Sequence, residues 1–151
     1  MINTQQNIVD LAREFGRAIS EMRTYMRQNL QVKIREHGVD ITFELLEILG
    51  FLFRKDGVNQ QEIADVIVKD KSSMTYLIDN LEKRGMVERI EDQNDRRSKL
   101  IYLTEKGKML EKELSPWISE MYEKATTGLE QTNLQIALAQ IQKMNENLRK
   151  Q

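Results

Sequence analysis

The side chains with chemistry to offer gather between Lys69 and Lys99. Ser72, Ser73, Thr75, Tyr76 and Asn80 supply hydroxyl and amide groups, and Lys69, Lys71, Lys83, Arg96, Arg97 and Lys99 supply cations. Hydroxyls and amides hydrogen-bond to phosphate oxygens and base edges, and Lys and Arg neutralise phosphates. This is a set for binding rather than for making or breaking bonds. The chain has no cysteine, which excludes disulfides, thiolate metal sites and cysteine redox switches. Its single histidine, His37, has no second imidazole with which to share a metal. Glu44 and Glu47 stand three residues apart on a helical pattern. With no other reactive group beside them they form a solvated edge rather than an acid–base pair. No nucleophile–base set or phosphate loop appears, so an enzyme is the weakest function class and no cofactor is expected.

Charge has to be argued by placement. The chain carries a net charge of -1 and a pI of about 6.0, whereas nucleic-acid binders are often basic. Between Lys69 and Lys99 there are 8 Lys/Arg against 7 Asp/Glu, a net of +1. Any affinity for a polyanion must come from where these charges sit.

The elements that must position them are legible from spacing. Asn59 with Glu62 three residues on forms a capping box for a short helix that buries Ile63, Ala64 and Ile67. Val68-Lys69-Asp70 breaks the pattern, and Asp70 caps the next helix. There Met74, Leu77, Ile78 and Leu81 make the inward stripe, leaving Lys71, Ser72, Ser73, Thr75, Tyr76, Asp79, Asn80 and Lys83 outside. Two short helices with a polar outer face on the second form a helix-turn-helix pattern, in which the second helix reaches base edges in a major groove. Gly85 is placed as a left-handed C-cap. Met86–Ile90 and Leu100–Leu103 follow as paired strands around the polar loop Glu91–Lys99. An arginine at such a tip can enter a minor groove. Alone this is a solvated hairpin; beside the two helices it reads as a wing.

Long amphipathic helices flank this stretch. Ile8, Leu11, Ala12, Phe15, Ile19, Met22 and Met26 recur at three and four residues in a helix running to about Arg35 and stopping at Gly38. That stripe suits a second chain as well as its own domain, and His37 falls at its end. Thr42 caps a second helix with Ile41, Leu45, Ile48, Leu49 and Leu52 on one face and Phe43, Leu46 and Phe53 on another. Thr104 caps a long helix along Leu110, Leu114, Ile118, Met121 and Ala125. Pro116 inside it is expected to kink it or to restart it after Ser115. Trp117 is expected to be buried by packing, with a seam between chains or the lining of a pocket as the alternatives. After Gly128, Leu134, Ala137, Leu138, Ile141, Met144 and Leu148 give a last stripe. Terminal helices too thin to hold a core alone favour a homodimer. With 151 residues, one domain is expected. No export signal opens the chain and no apolar run approaches about 18 residues, so a cytoplasmic protein without a membrane span is expected.

The chain resembles the MarR family of bacterial transcription regulators. The resemblance rests on Ile41-Thr42, the two short helices from Asn59 to Arg84, and Leu81-Glu82-Lys83-Arg84-Gly85-Met86-Val87. Its most specific part is Asp95-Arg96-Arg97 followed by Leu103-Thr104-Glu105-Lys106-Gly107. It implies a mainly α fold with a small β-hairpin wing, a winged helix-turn-helix with N- and C-terminal dimerisation helices. One domain would span 1–151, with a DNA-binding part at 41–104 and dimerisation helices at 1–38 and 105–151. The resemblance implies a homodimer on double-stranded DNA at a pseudo-palindromic operator, acting as a ligand-responsive repressor. Arg97 would enter the minor groove and Asp95 would orient it. Ser72, Ser73, Thr75, Tyr76 and Asn80 would read or position, Lys69, Lys71, Lys83 and Lys99 would meet phosphates, and Arg96 would join them on the wing. A small aromatic or amphipathic effector is implied between the dimerisation and DNA-binding parts, with Tyr25, Met26, Phe43, Leu46 and Trp117 around it. Oxidant-sensing branches are not matched for want of cysteine, and a single histidine disfavours a zinc-sensing one. The alternative is a winged-helix protein-interaction module, which fits the near-neutral charge better.

Overall fold

Apolar spacing and caps place most of the helices. The structure, a computed structural model, describes residues 6–67 and 69–150. Val68, part of the expected break before the second short helix, lies outside them. Helix α1 spans Ile8–Glu36, and the Asn7 side chain accepts from the Asp10 N–H at 3.0 Å. It stops at Gly38, whose φ of 64° is the left-handed conformation expected there. Helix α2 spans Phe43–Arg54, capped by Thr42 through the Leu45 N–H. Strand β1 is Val58–Asn59, helix α3 is Gln60–Ile67 and helix α4 is Lys71–Lys83. Strands β2 (Val87–Glu91) and β3 (Lys99–Leu103) form the hairpin, and α5 spans Glu105–Ala125. The last helix, α6, is Gln131–Arg149. Among the described residues no helix is long and apolar enough to cross a membrane.

The described residues form two compact units, one ending at Ile118 and the other starting at Ser119. In the first, α2 lies at the centre of the core: Ile48, Leu49 and Leu52 are wholly buried, as are Ile63 of α3 and Met74, Ile78 and Leu81 of α4. Each such side chain contributes about 1.5–3 kcal/mol of transfer free energy. Leu30 and Ile34 of α1 and Leu110 and Leu114 of α5 enter the same core. The helices that carry the polar face are thereby held rigidly. The second unit holds the end of α5 and all of α6. No residue of α6 is buried.

Three details depart from the sequence reading. The sheet has three strands, not two, in the order β1-β3-β2, all antiparallel. Strand β1 is too short for any alternation to show. It is held by the Gly57 N–H to the Ile101 carbonyl at 3.0 Å and by the Asp56 carboxylate accepting the Leu103 N–H at 2.9 Å. The capping box is half formed. Asn59 accepts the Glu62 N–H at 2.9 Å, but the Glu62 carboxylate turns to Lys55 at 3.2 Å. Finally, of the kink or restart expected at Pro116, the restart does not occur: α5 continues through it. The missing N–H deprives the carbonyl of Lys112, an exposed residue whose backbone water can solvate, so the helix continues.

Candidate nucleic-acid interface

The start of α4 is tied down by its own polar residues. Asp70 accepts the Ser73 N–H and the Ser73 hydroxyl, both at 2.8 Å. These bonds favour the carboxylate and hold Asp70 below the usual aspartate range. Ser73 therefore completes the cap. The Thr75 hydroxyl donates to the Lys71 carbonyl at 2.9 Å and accepts from the Gln60 side-chain amide at 2.7 Å. Its only proton is thus committed within the fold, and Gln60, absent from the expected site, braces α3 against α4. Asn80 is likewise engaged: its side-chain oxygen accepts from the Arg84 Nε at 2.7 Å. Arg84 reaches on to the Asp40 carbonyl at 2.5 Å and carboxylate at 3.1 Å.

What remains on the outer face of α4 is Lys71, Ser72, Tyr76 and Lys83, all exposed, Tyr76 by 68%. Their side chains make no hydrogen bond or ion pair among the described residues. Lys69, half-buried, precedes the cap.

The wing is a tight polar turn between β2 and β3. The Asp92 N–H donates to the Ser98 carbonyl at 3.0 Å and the Ser98 N–H to the Asp95 carbonyl at 2.9 Å. The Asp95 carboxylate accepts the Arg97 N–H at 3.0 Å. Asp95 thus orders the backbone beneath Arg97 and leaves the guanidinium unpaired. Arg96, Arg97 and Lys99 are exposed, and Lys99 pairs across the sheet with Glu91 in backbone register.

Between the start of α3, the start of α4 and the wing lies a cleft of about 460 Å³. Its walls carry four cations, Lys71, Arg89, Arg97 and Lys99, with the amides of Asn59, Gln60 and Gln61 and no carboxylate. Arg89 was not expected here. It points from β2 to α4, pairing with Asp79 at 2.6 Å and Glu82 at 3.4 Å. Only its position in a strand, at an unremarkable spacing, marked it in the sequence, so nothing there singled it out.

A second cleft, of about 440 Å³, opens between α1, α2 and α4, lined in part by Arg27, Gln31, Phe43, Glu44, Tyr76 and Asn80. Arg27 lies over the Phe43 ring, 4.6 Å from its centroid. Of the five residues expected around an effector, Phe43 lines this cleft and the other four do not. Leu46 is turned into the core, and Tyr25 is exposed with its hydroxyl 3.3 Å from Glu21. Met26 is half-buried elsewhere on α1. Trp117 packs against the core with its ring 4.2 Å from that of His37. Asn80 and Tyr76 line this cleft and not the cationic one.

Comparison with known proteins places this arrangement. Residues 41–99 match the MarR family. The chain is 31% identical to a MarR transcriptional regulator from Methanosarcina mazei Go1, with a TM-score of 0.75 over 90% of each chain. It is 26% identical to MepR of S. aureus, solved as a complex with DNA, with a TM-score of 0.72 over 88% of this chain and 97% of that one. It is 28% identical over 100 residues to the transcriptional repressor MprA of Escherichia coli K12, covering 66% of this chain and 57% of that protein. The chain thus spans less than two thirds of that relative's length. With the winged helix in place and a likeness to the Methanosarcina regulator over nearly its full length, the chain belongs to the MarR family of transcriptional regulators.

Proposed function

We propose that this protein binds double-stranded DNA sequence-specifically as a homodimer, at a pseudo-palindromic operator, and acts as a ligand-responsive repressor. One observation carries the reading: the cleft between α3, α4 and the wing collects three cations unpaired among the described residues, Lys71, Arg97 and Lys99, and no acid in its lining, in a chain that is slightly acidic overall. Placement therefore provides what the net charge does not. Lys71, Lys83 and Lys99 meet phosphates, Ser72 and Tyr76 face base edges, and Arg97 enters the minor groove from a turn ordered by Asp95. Ser73 and Thr75 serve the interface by holding α4, because their hydroxyl protons are already committed, and Asn80 anchors Arg84 through its oxygen while its amide N–H groups stay available. MepR, solved on DNA, supports the same use of this fold here.

Operator selection from random or genomic DNA tests the reading, followed by anisotropy titration. A palindrome should be enriched, and affinity should fall steeply with salt. Arg97→Ala should weaken operator binding by more than one phosphate contact would, about tenfold or more. Unchanged binding removes Arg97 from the site. No enriched sequence with a flat salt profile favours the other reading, a winged helix that docks on protein.

The effector belongs in the cleft between α1, α2 and α4. Arg27 and Phe43 offer a cation beside a ring, which suits a small aromatic acid. Aromatic acids at millimolar concentration should raise the melting temperature and release the operator. A library in which none stabilises the protein counts against an effector of this class.

A further inference from the structure

Arg89 is a cation of the cleft that differs from the other three. Lys71, Arg97 and Lys99 are exposed and unpaired among the described residues, whereas the Arg89 side chain is 18% exposed and holds two carboxylates. Both carboxylates stand on α4, one helical turn apart, on the helix that presents Lys71, Ser72 and Tyr76. Left alone, Asp79 and Glu82 would put two negative charges beside the path of a phosphate backbone. Each would repel it, and the repulsion would be strongest where water is excluded. Arg89 draws both to one side, and neither lines the cationic cleft.

The same pairs fix geometry. Arg89 sits in β2, the strand that carries the wing, and faces Ile101 of β3 in the register. Its pairs with α4 lock the wing to the helix. They add to the anchorage that the sheet ladder and the buried Met86 and Val87 already give the wing. A planar fork can serve two carboxylates at once, and an ammonium cannot do so with the same geometry.

We propose that Arg89 is a positioning residue for DNA binding: it holds Asp79 and Glu82 to itself, offsetting one of their two charges, and braces the wing against α4 without itself contacting a phosphate. The proposal rests on the DNA-binding reading above. It predicts that losing Arg89 matters because of the acids it leaves behind.

The test compares full-length wild type with Arg89→Ala, Arg89→Lys and the triple variant Arg89→Ala/Asp79→Asn/Glu82→Gln, on the selected operator across a salt series, with melting temperatures recorded alongside. Arg89→Ala should bind about tenfold more weakly with an unchanged dependence of log affinity on log salt. The triple variant should recover to within about threefold of wild type, because the uncompensated acids are gone. Arg89→Lys should fall between, about threefold weaker, with the slope kept. A direct phosphate ligand behaves differently: each lost contact reduces the slope by about 0.9, and neutralising the acids does not restore binding. That pattern overturns the proposal, as does wild-type affinity in Arg89→Ala. Should Arg89→Ala fail to fold, the slope and affinity of Arg89→Lys decide: a reduced slope or wild-type affinity overturns the proposal, and a threefold loss at constant slope upholds it. Wild type that binds no DNA overturns the proposed function together with this inference, whereas binding that is indifferent to Arg89 overturns this inference alone.

Discussion

Asp70 stands where a helix N-terminus meets a polyanion, and two negative groups compete for the same N–H donors. In the free protein Asp70 occupies them, taking the Ser73 N–H and hydroxyl. Those bonds favour the ionised carboxyl, so the folded-state pKa lies below the usual aspartate range. A group with a depressed folded pKa stabilises the fold above its unfolded pKa. That contribution is lost as pH falls through the folded value, below the ordinary aspartate range. Asp70 is fully exposed, so the effect is screened and local rather than global. The observable is accordingly the Ser73 amide in an NMR titration of the free protein. Its shift should report a midpoint below the ordinary aspartate value, and Asp70→Asn should abolish the titration while weakening the cap. A midpoint at or above the ordinary value would remove the Ser73 bonds as its cause. The neighbouring hydroxyl of Thr75 illustrates the same economy, since a donor that already caps or braces has nothing left to offer a base.

At the scale of elements, what a single sequence exposes is local: periodicity, caps and glycine stops. Those signals located α1, α2, α4 and the hairpin, with Thr42, Asp70 and Gly85 at their ends as expected. They failed where the cause is distant or small. Strand β1 has two residues, below any detectable alternation, and exists because β3 lies beside it. Glu62 has the spacing of a capping box but finds Lys55 instead. Pro116 is tolerated because the carbonyl it orphans belongs to an exposed residue. Asp95 and Arg97 were legible through the family resemblance, whereas Arg89, Gln60 and Arg84 were not. Asp79, Thr75 and Asp40 lie 10, 15 and 44 residues from them, respectively, and no periodicity links such pairs, although Arg84 also meets Asn80 at helical spacing. Gly107 shows the same limit from the other side. Its place in the family-like motif was visible, but its reason is packing: a Cβ there would collide with the Met86 carbonyl oxygen, where α5 leaves the root of the wing. That carbonyl also accepts the Thr104 N–H at 3.1 Å, so it cannot readily move aside.

For the whole molecule, the open question is what covers the apolar faces of the terminal helices. Helix α6 has no buried residue, and Leu134, Ile136 and Leu138 are 46%, 56% and 53% exposed. In α1, Ile8, Leu11, Ile19 and Met22 are exposed, although Leu30 and Ile34 of the same helix enter the core. An amphipathic helix stays folded by burying its stripe, so faces this apolar imply a partner surface. A second copy of the chain is the partner that the proposed function requires. Two half-sites about 34 Å apart need two wings and two α4 helices at fixed spacing. The requirement is energetic as well as geometric. One near-neutral copy neutralises few phosphates, whereas joining two makes the second contact intramolecular and strengthens binding by about 10²–10⁴. Leu134→Glu/Leu138→Glu places charges on the α6 stripe at two exposed positions. Analytical ultracentrifugation should show a dimer for wild type and a monomer for the variant. Operator affinity should fall by about a hundredfold or more, while a single half-site is bound as before. A dimeric variant with undiminished operator binding would place the interface elsewhere, and a monomeric wild type that binds the full palindrome tightly would remove the dimer from the mechanism.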